Sequence, residues 1–439
     1  MLFREKKNQL FIGLELNQNS AQISFCSSEK PEPETVSLVA GKEQFAIPAV
    51  LCKRHGVNQW FFGRDAWRHS EEGDGILVER LLERACAGEQ VTLEDEQFDA
   101  VSLLALFIKH SLSVMLLGSG AERPDYLMIT VEQADSRMLE VLSGVGGYLQ
   151  MDREHLFFQS HAESFYQYCM HQPEELRTHE VMIFEYASEH LKTYRLEFNR
   201  KTSPIVAFTT EKSFPQMRLA PLEGDEAAVA LQARQRDEMF AAIVEEETRE
   251  RIVSCAYLIG DGYQGGWCKE SLRLLCSKRR VFQGNNLYSK GACYAVYERV
   301  HPGTASAKYL FLGRDKLKVN VGMNAVVDGK EQYYPLIDAG VNWFDVSREW
   351  DLLLESGNEL FFVLTPLNGG TRRTLVMKLN GLPEQDGHMT RLHLKARFLS
   401  EERFAVRVED LGFGSFFESS GLSWEQEVNV SQGAGAGVK

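Results

Sequence analysis

The sequence lacks the signatures of several common protein classes. Its eight cysteines, Cys26, Cys52, Cys86, Cys169, Cys255, Cys268, Cys276 and Cys293, form no C-x-x-C pair. Its eleven histidines form no H-E-x-x-H and no cysteine–histidine cluster. That pattern argues against a zinc site, and most of the cysteines sit inside apolar runs, as reduced, buried small residues do. Met1 to Lys7 carry no apolar segment of a secretory signal. The best candidate for a membrane span, Val101 to Gly118, is broken at its middle by Lys109 and His110 and reads as a buried or amphipathic helix. Basic charge is short as well. With 48 Lys+Arg against 62 Asp+Glu the net charge is -14, which suits neither a nucleic-acid backbone nor an anionic membrane surface. The expectation is a cytoplasmic protein with no nucleic-acid and no membrane partner.

The 439 residues, 44% hydrophobic and 25% charged, have room for two or three globular domains. The most informative stretch begins with the apolar run Ala256-Tyr257-Leu258-Ile259, which ends in Gly260-Asp261-Gly262. Gly265 and Gly266 follow at the start of a helical pattern. A strand, glycine turn and helix can present backbone N–H groups to an anion, or can serve only to pack the helix on a sheet. Past Val281-Phe282, Asn285-Asn286-Leu287 leads into Tyr288 to Ala295, where two small residues allow close backbone approach.

Elsewhere, strands alternate with helical patterns. Leu10 to Leu16 and Ala21 to Phe25 flank Asn17-Gln18-Asn19-Ser20 as a hairpin. Tyr126 to Val131 is a strand, and Gln133 to Leu149 is a helix with Met138, Leu139, Val141, Leu142 and Val145 at helical spacing. A second such pair is Leu156 to Phe158 with Ala162 to Met170. His161 has no identifiable acid or nucleophile partner, so it reads as a helix-start histidine and not as a base. Glu180 to Leu196 reads strand, turn, strand, and a further strand lies near Val206 to Thr209. Asp225 to Ser254 is a long helical stretch without Gly or Pro. His301 to Ala307 reads as a linker, and Tyr309 to Val428 holds short alternating β-runs, the pattern of a β-sandwich.

In this order the segments resemble the heat-shock protein 70 (DnaK-type) branch of the actin-like ATPase superfamily. Gly260 to Gly266 and Asn285 to Ala295 match its closing glycine turn and helix, and Ile12 to Ser20 keeps the frame of its first phosphate turn, "IGIDLGTTNS". Ala46 to Ser70, Ile76 to Leu82, Tyr126 to Val131, Gln159 to Tyr168 and Leu379 to Gly387 follow its further motifs in sequence, and Glu409 to Gly414 repeats its closing one. The likeness runs from Leu10 to about Trp424. It implies an α/β fold: a two-lobed actin-like (ribonuclease H-like) domain over 1–300, with lobes 1–178 and 179–300. A linker at 301–308, a β-sandwich substrate-binding-like domain at 309–428 and a disordered tail at 429–439 complete the chain. It further implies a site for ATP or ADP with Mg²⁺ at Gly13, Glu15, Asn17, Gln18, Glu185, Gly260, Asp261, Gly262 and Gly265. The β-domain would hold a protein or an extended peptide segment.

The same alignment exposes departures. The first turn has lost its glycine and both threonines, and Glu15 and Glu185 stand where the family has Asp. Glu79 takes the place of the phosphate-contacting lysine, and Ser160 that of a glutamate. The second phosphate loop, Ile183 to Leu191, has no glycine, so its backbone is hindered from approaching a phosphate closely. No residue is therefore assigned to catalysis and none to metal. The favoured expectation is a chaperone-like or peptide-binding protein on a degenerate nucleotide site. The alternatives are an active ATPase in which Glu15 and Glu185 hold Mg²⁺ through water, and an actin-like scaffold or filament protein.

Overall fold

The computed structural model describes residues 8–39, 41–119, 123–187, 189–303, 308–367, 369–383, 389–414 and 418–430. It is a mixed α/β chain with several sheets, and it divides between Leu310 and Phe311 into two compact units. Residues 304–307 of the expected linker and 431–439 of the expected tail lie outside the described residues.

In the first unit, β1 (Leu10–Leu16) and β2 (Ser20–Ser27) form the expected hairpin, extended by the short β3 (Glu34–Thr35) and β4 (Ile47–Pro48). Next, β5 (Leu51–Arg54), β6 (Trp60–Phe62) and β7 (Gly75–Val78) make a small sheet around α1 (Gly63–Glu71). Ile76 to Val78, which the resemblance aligns with a helix of the family, is strand; Arg80 adopts the left-handed conformation, and α2 (Leu81–Ala87) starts after it. The hairpin of β8 (Gln90–Leu93) and β9 (Glu96–Asp99) leads into α3 (Ala100–Ser119), which buries Leu103, Leu104, Phe107 and Ile108 and exposes Lys109. Among the described residues, no helix is long and apolar enough to cross a membrane.

A parallel crossover follows: β10 (Tyr126–Val131), α4 (Ser136–Leu149), β11 (Leu156–Ser160), then α5 (His161–Met170). Asp135 fixes the start of α4 by accepting the Met138 N–H. The first large sheet runs β11-β10-β1-β2-β3, parallel from β11 to β1 and antiparallel beyond.

The second large sheet repeats this wiring. Its strands are β12 (Glu180–Ala187), β13 (His190–Asn199), β14 (Ile205–Arg218), β15 (Val253–Ile259), β16 (Arg280–Gln283) and β17 (Tyr309–Phe311). The order is β16-β15-β12-β13-β14-β17, again parallel from β16 to β12 and antiparallel from β12 to β14. Between the strands lie α6 (Glu226–Thr248), α7 (Lys269–Cys276) and α8 (Leu287–Val300). The long helical pattern therefore stops at Thr248, where the chain turns through Glu250 at positive φ and enters β15.

Helix α8 leaves the second sheet and packs on the first, and two glycines allow it. A methyl group on Gly13 would stand 2.2 Å from the Ser289 carbonyl oxygen; one on Gly291 would stand 2.0 Å from that of Ser164. Backbone touches backbone there, which only glycine permits.

The second unit holds β18 (Val319–Val327), β19 (Lys330–Ile337), β20 (Ser347–Leu354), β21 (Glu359–Pro366), β22 (Arg373–Lys378), β23 (Thr390–Ser400), β24 (Arg403–Gly412) and β25 (Ser423–Asn429). They form two antiparallel sheets, β19-β18-β21-β22 and β20-β23-β24-β25. Alternate residues such as Leu360, Phe362, Leu392, Leu394 and Phe404 are buried, and the Phe362 and Phe404 rings meet at 6.1 Å.

Candidate functional site

Strand register builds a polar row inside an apolar sheet. Glu15 pairs with Gln22 on one side and Thr130 on the other, and Thr130 pairs with Gln159. Directly paired residues share a face, so four polar side chains stand in line across β2, β1, β10 and β11, and all are buried. Gln159 Nε2 donates to Ser164 Oγ at 2.6 Å, and Ser164 Oγ donates to Thr130 Oγ1 at 2.7 Å. Glu15 Oε2, Gln22 Oε1, Gln159 Oε1 and His161 Nε2 make no hydrogen bond within the described protein.

The second sheet contributes Glu185, and α8 contributes Tyr288, whose hydroxyl donates to Glu185 Oε2 at 3.0 Å. The His161 ring lies parallel to the Tyr288 ring at 4.1 Å. An ion pair between Lys192 of β13 and Glu132, just past β10, joins the two sheets beside this cluster. Burial first, and then the charge of Glu185, pushes Glu15 up to about 8, against a hydrogen bond from Asn17. Burial raises Glu185 to about 7, although the Tyr288 hydrogen bond works the other way. Burial and the charge of Lys192 hold His161 down to about 3, so its ring is neutral. Near neutrality Glu15 is a carboxylic acid and not a carboxylate.

Several N–H groups of the nearby turns have acceptors inside the chain. Asn17 Oδ1 accepts from the N–H of Asn19 at 2.9 Å and of Ser20 at 2.8 Å. Asn285 Oδ1 accepts the Gly260 N–H at 2.9 Å. The start of α7 already faces an anion from within the chain. The Asp237 carboxylate of α6 accepts from the N–H of Glu270 at 2.8 Å and of Ser271 at 3.0 Å, and from the Ser271 hydroxyl. Burial opposes the charge on Asp237, but these hydrogen bonds outweigh it and hold the carboxyl below its usual range.

The remaining sequence candidates scatter. Gly13 serves the approach of α8. Gly260, at φ 103°, and Gly262 make room for Tyr186: a methyl on either would stand 2.4 Å from the Tyr186 carbonyl oxygen or ring. Gly265 faces open space, Gln18 is exposed, and exposed Asp261 accepts from Gln264 Nε2 at 3.1 Å. Between β12 and β13 the chain turns in two residues, Ser188 lying outside the described residues, so no long loop is available to wrap a phosphate. Glu79 is exposed, and its carbonyl accepts from Arg84 Nε at 3.0 Å. Apart from this region, His69, Glu72 and Asp74 bring ligand-type atoms within 4.8 Å of one another, with His69 Nδ1 3.0 Å from Asp74 Oδ2.

Of the N–H groups in these turns, those of Asn19, Ser20 and Gly260 already have acceptors inside the chain, which leaves a phosphate fewer donors than a glycine-rich turn offers. Sequence reasoning passed over Asn285, Tyr288 and Asp237 as site residues. The signal for Gln22 and Gln159 was there in principle, since each interrupts an apolar strand.

Comparison with known families gives two matches. Residues 32–314 match the family of unknown function DUF5716, C-terminal part, and residues 316–430 match a domain of unknown function, DUF8552. No curated protein matches the sequence significantly. Since the first match spans more than half of its length, the chain belongs to the DUF5716 family.

Proposed function

We propose that this chain is a divergent heat-shock-protein-70-like protein, chaperone-like or peptide-binding, that does not turn over nucleotide. Its first unit is read as a two-lobed actin-like domain and its second as a β-sandwich that holds a protein or extended peptide segment. The repeated sheet wiring and the return of α8 to the first sheet support the first assignment. The paired antiparallel sheets, with the exposed β-face residues Phe361 and Val376 directly opposite each other, support the second. Peptide would add along an open edge strand and seat alternate side chains. The net charge of -14 favours protein over nucleic-acid or membrane partners, and a cytoplasmic location accords with the cysteine pattern.

One observation carries the non-hydrolysing part of this reading. Asn17, Asn285 and Asp237 accept from N–H groups of the two turns and of the start of α7, donors that an anionic ligand would otherwise use. The test is a thermal-shift titration with ATP and ADP, with and without Mg²⁺, into the millimolar range. Ligand at a hundred times its Kd adds about 2.7 kcal/mol, an easily read shift; none is expected. A Mg²⁺-dependent shift that Gly260→Glu abolishes overturns the reading. It would favour the rewired ATPase, which the proximity of Glu15 and Glu185 supports.

A further inference from the structure

Two thiols meet in the core of the first unit. Cys26 on β2 and Cys293 on α8 are 267 residues apart in sequence, yet their sulfurs stand 3.4 Å apart. The contact follows from the seating of α8. Gly13 lets the helix backbone down onto β1, which places Cys293 beside the Phe11 carbonyl oxygen, at 3.6 Å, and beside Cys26, the strand neighbour of Phe11. Phe11, Met128, Ala292 and Val296 enclose the pair. Cys26 also forms part of the wall of a half-open cavity of about 670 Å³, bounded by Leu10, Phe25, Lys30, Arg123 and His155. Cys293 does not line it.

We propose that Cys26 and Cys293 are a redox modification site, closed to a reversible disulfide by a small hydroperoxide that enters through this cavity. The chemistry balances in two steps. The Cys26 sulfur attacks the terminal peroxide oxygen; an S–O bond forms, the O–O bond breaks, and the departing oxygen leaves with the thiol proton, as water from hydrogen peroxide or as an alcohol from an alkyl hydroperoxide. The Cys293 sulfur then attacks the Cys26 sulfur; the S–S bond forms, the S–O bond breaks, and water leaves with the Cys293 proton. Two thiols give up two electrons, and the peroxide is reduced. Position assigns the roles: Cys26 borders the cavity and, at 3% exposure against 0%, is the less buried of the two. Burial above all, and then the hydrogen bond to Cys26, pushes the Cys293 thiol well up, which suits the resolving partner better than the first nucleophile. The sulfurs have to close from 3.4 Å to about 2.05 Å. The bond would staple α8 to β2 and close nearly the whole first unit into one loop.

The test treats the full chain, purified reduced, with hydrogen peroxide. Linked peptides are mapped by mass spectrometry without reduction, and thermal unfolding is followed before and after dithiothreitol. The expected result is one Cys26–Cys293 linkage and a rise in thermal midpoint on the order of 5–10 °C, both reversed by reduction. C26S and C293S each lose the peroxide-induced rise. Peroxide that leaves both thiols open to alkylation, that oxidises only exposed Cys276, or that stops at over-oxidised Cys26 without a crosslink overturns the proposal. The wild-type peptide map decides this even if a serine variant folds poorly.

Discussion

The buried acid cluster predicts a pH profile of stability with a definite shape. Folding takes Glu15 from its ordinary 4.5 to about 8 and Glu185 from 4.5 to about 7, while His161 falls from 6.5 to about 3. Each group changes stability by about 1.4 kcal/mol per pH unit wherever the folded and unfolded chains differ in its protonation. The glutamates cost nothing below pH 4.5, where both states hold the proton. Above it the unfolded chain ionises first, so stability falls until the folded value is passed. His161 acts oppositely: between pH 3 and 6.5 only the unfolded chain binds its proton, so stability rises with pH. From 4.5 to 6.5 the histidine offsets one glutamate. From 6.5 to 7 both glutamates fall unopposed, and from 7 to 8 Glu15 acts alone. The loss from pH 5 to 8 is therefore on the order of 5 kcal/mol, steepest just below pH 7. Urea unfolding at a series of pH values reads it directly. Glu15→Gln should be nearly flat from pH 5 to 6.5 and more stable than the wild type at pH 8 by about 4–5 kcal/mol. If the two profiles run parallel from pH 5 to 8, Glu15 does not titrate there and the reasoning fails.

Two further substitutions test the packing around the site. Gly291→Ala puts a methyl 2.0 Å from the Ser164 carbonyl oxygen, so α8 must lift from α5; a loss of about 3 kcal/mol is expected in denaturant unfolding, well beyond the helix-propensity gain of about 1. Wild-type stability would show that the two helices are not in contact. Asp237→Ala removes the acceptor at the start of α7 and should cost about 2 kcal/mol, with Asp237→Asn retaining part of it. Because the Asp237 carboxyl lies below its usual range, that contribution is present above pH 3.8 and is lost as pH falls through the folded value. A variant penalty that shows no decline as the pH is lowered until the folded chain takes up the proton would contradict the capping role.

Much of the first unit was legible because its signals are local. The β1–β2 hairpin shows in seven apolar-rich residues ending at Leu16 and a polar turn, and α4 shows in its helical spacing behind Asp135. In the second unit the runs at 317–321, 359–363, 374–377, 391–396 and 404–408 show in the sequence, while β19, β20 and β25 escaped notice. The outward positions of β20 and β25 carry charges paired across strands, such as Glu349 with Lys395 and Arg403 with Glu427, and this polarity hides the alternation. The site was legible in Asn17 and above all in its acidic members. Glu15 and Glu185 stand at the ends of apolar strands, where a carboxyl is conspicuous. Their protonation depends on burial by α8, and the Tyr288–Glu185 bond spans 103 residues, so no local pattern encodes it. The anion at the start of α7 likewise comes from 33 residues upstream.

The cluster also bears on what sets the state of the first unit under the proposed reading. A cleft between two sheets that held an anion would, once empty, leave two liabilities: N–H donors without acceptors and carboxylates facing each other. Here both are met from inside the chain. Asn17, Asn285 and Asp237 supply the acceptors, and a proton on Glu15 removes the repulsion with Glu185. Tyr288 then bonds the remaining carboxyl, with the neutral His161 ring stacked on it, and Lys192 and Glu132 join the sheets at the side. None of these contacts requires a nucleotide, and only the proton responds to conditions in the physiological range. On the proposed reading, the variable that loosens the two sheets is pH above 7 and not a bound nucleotide.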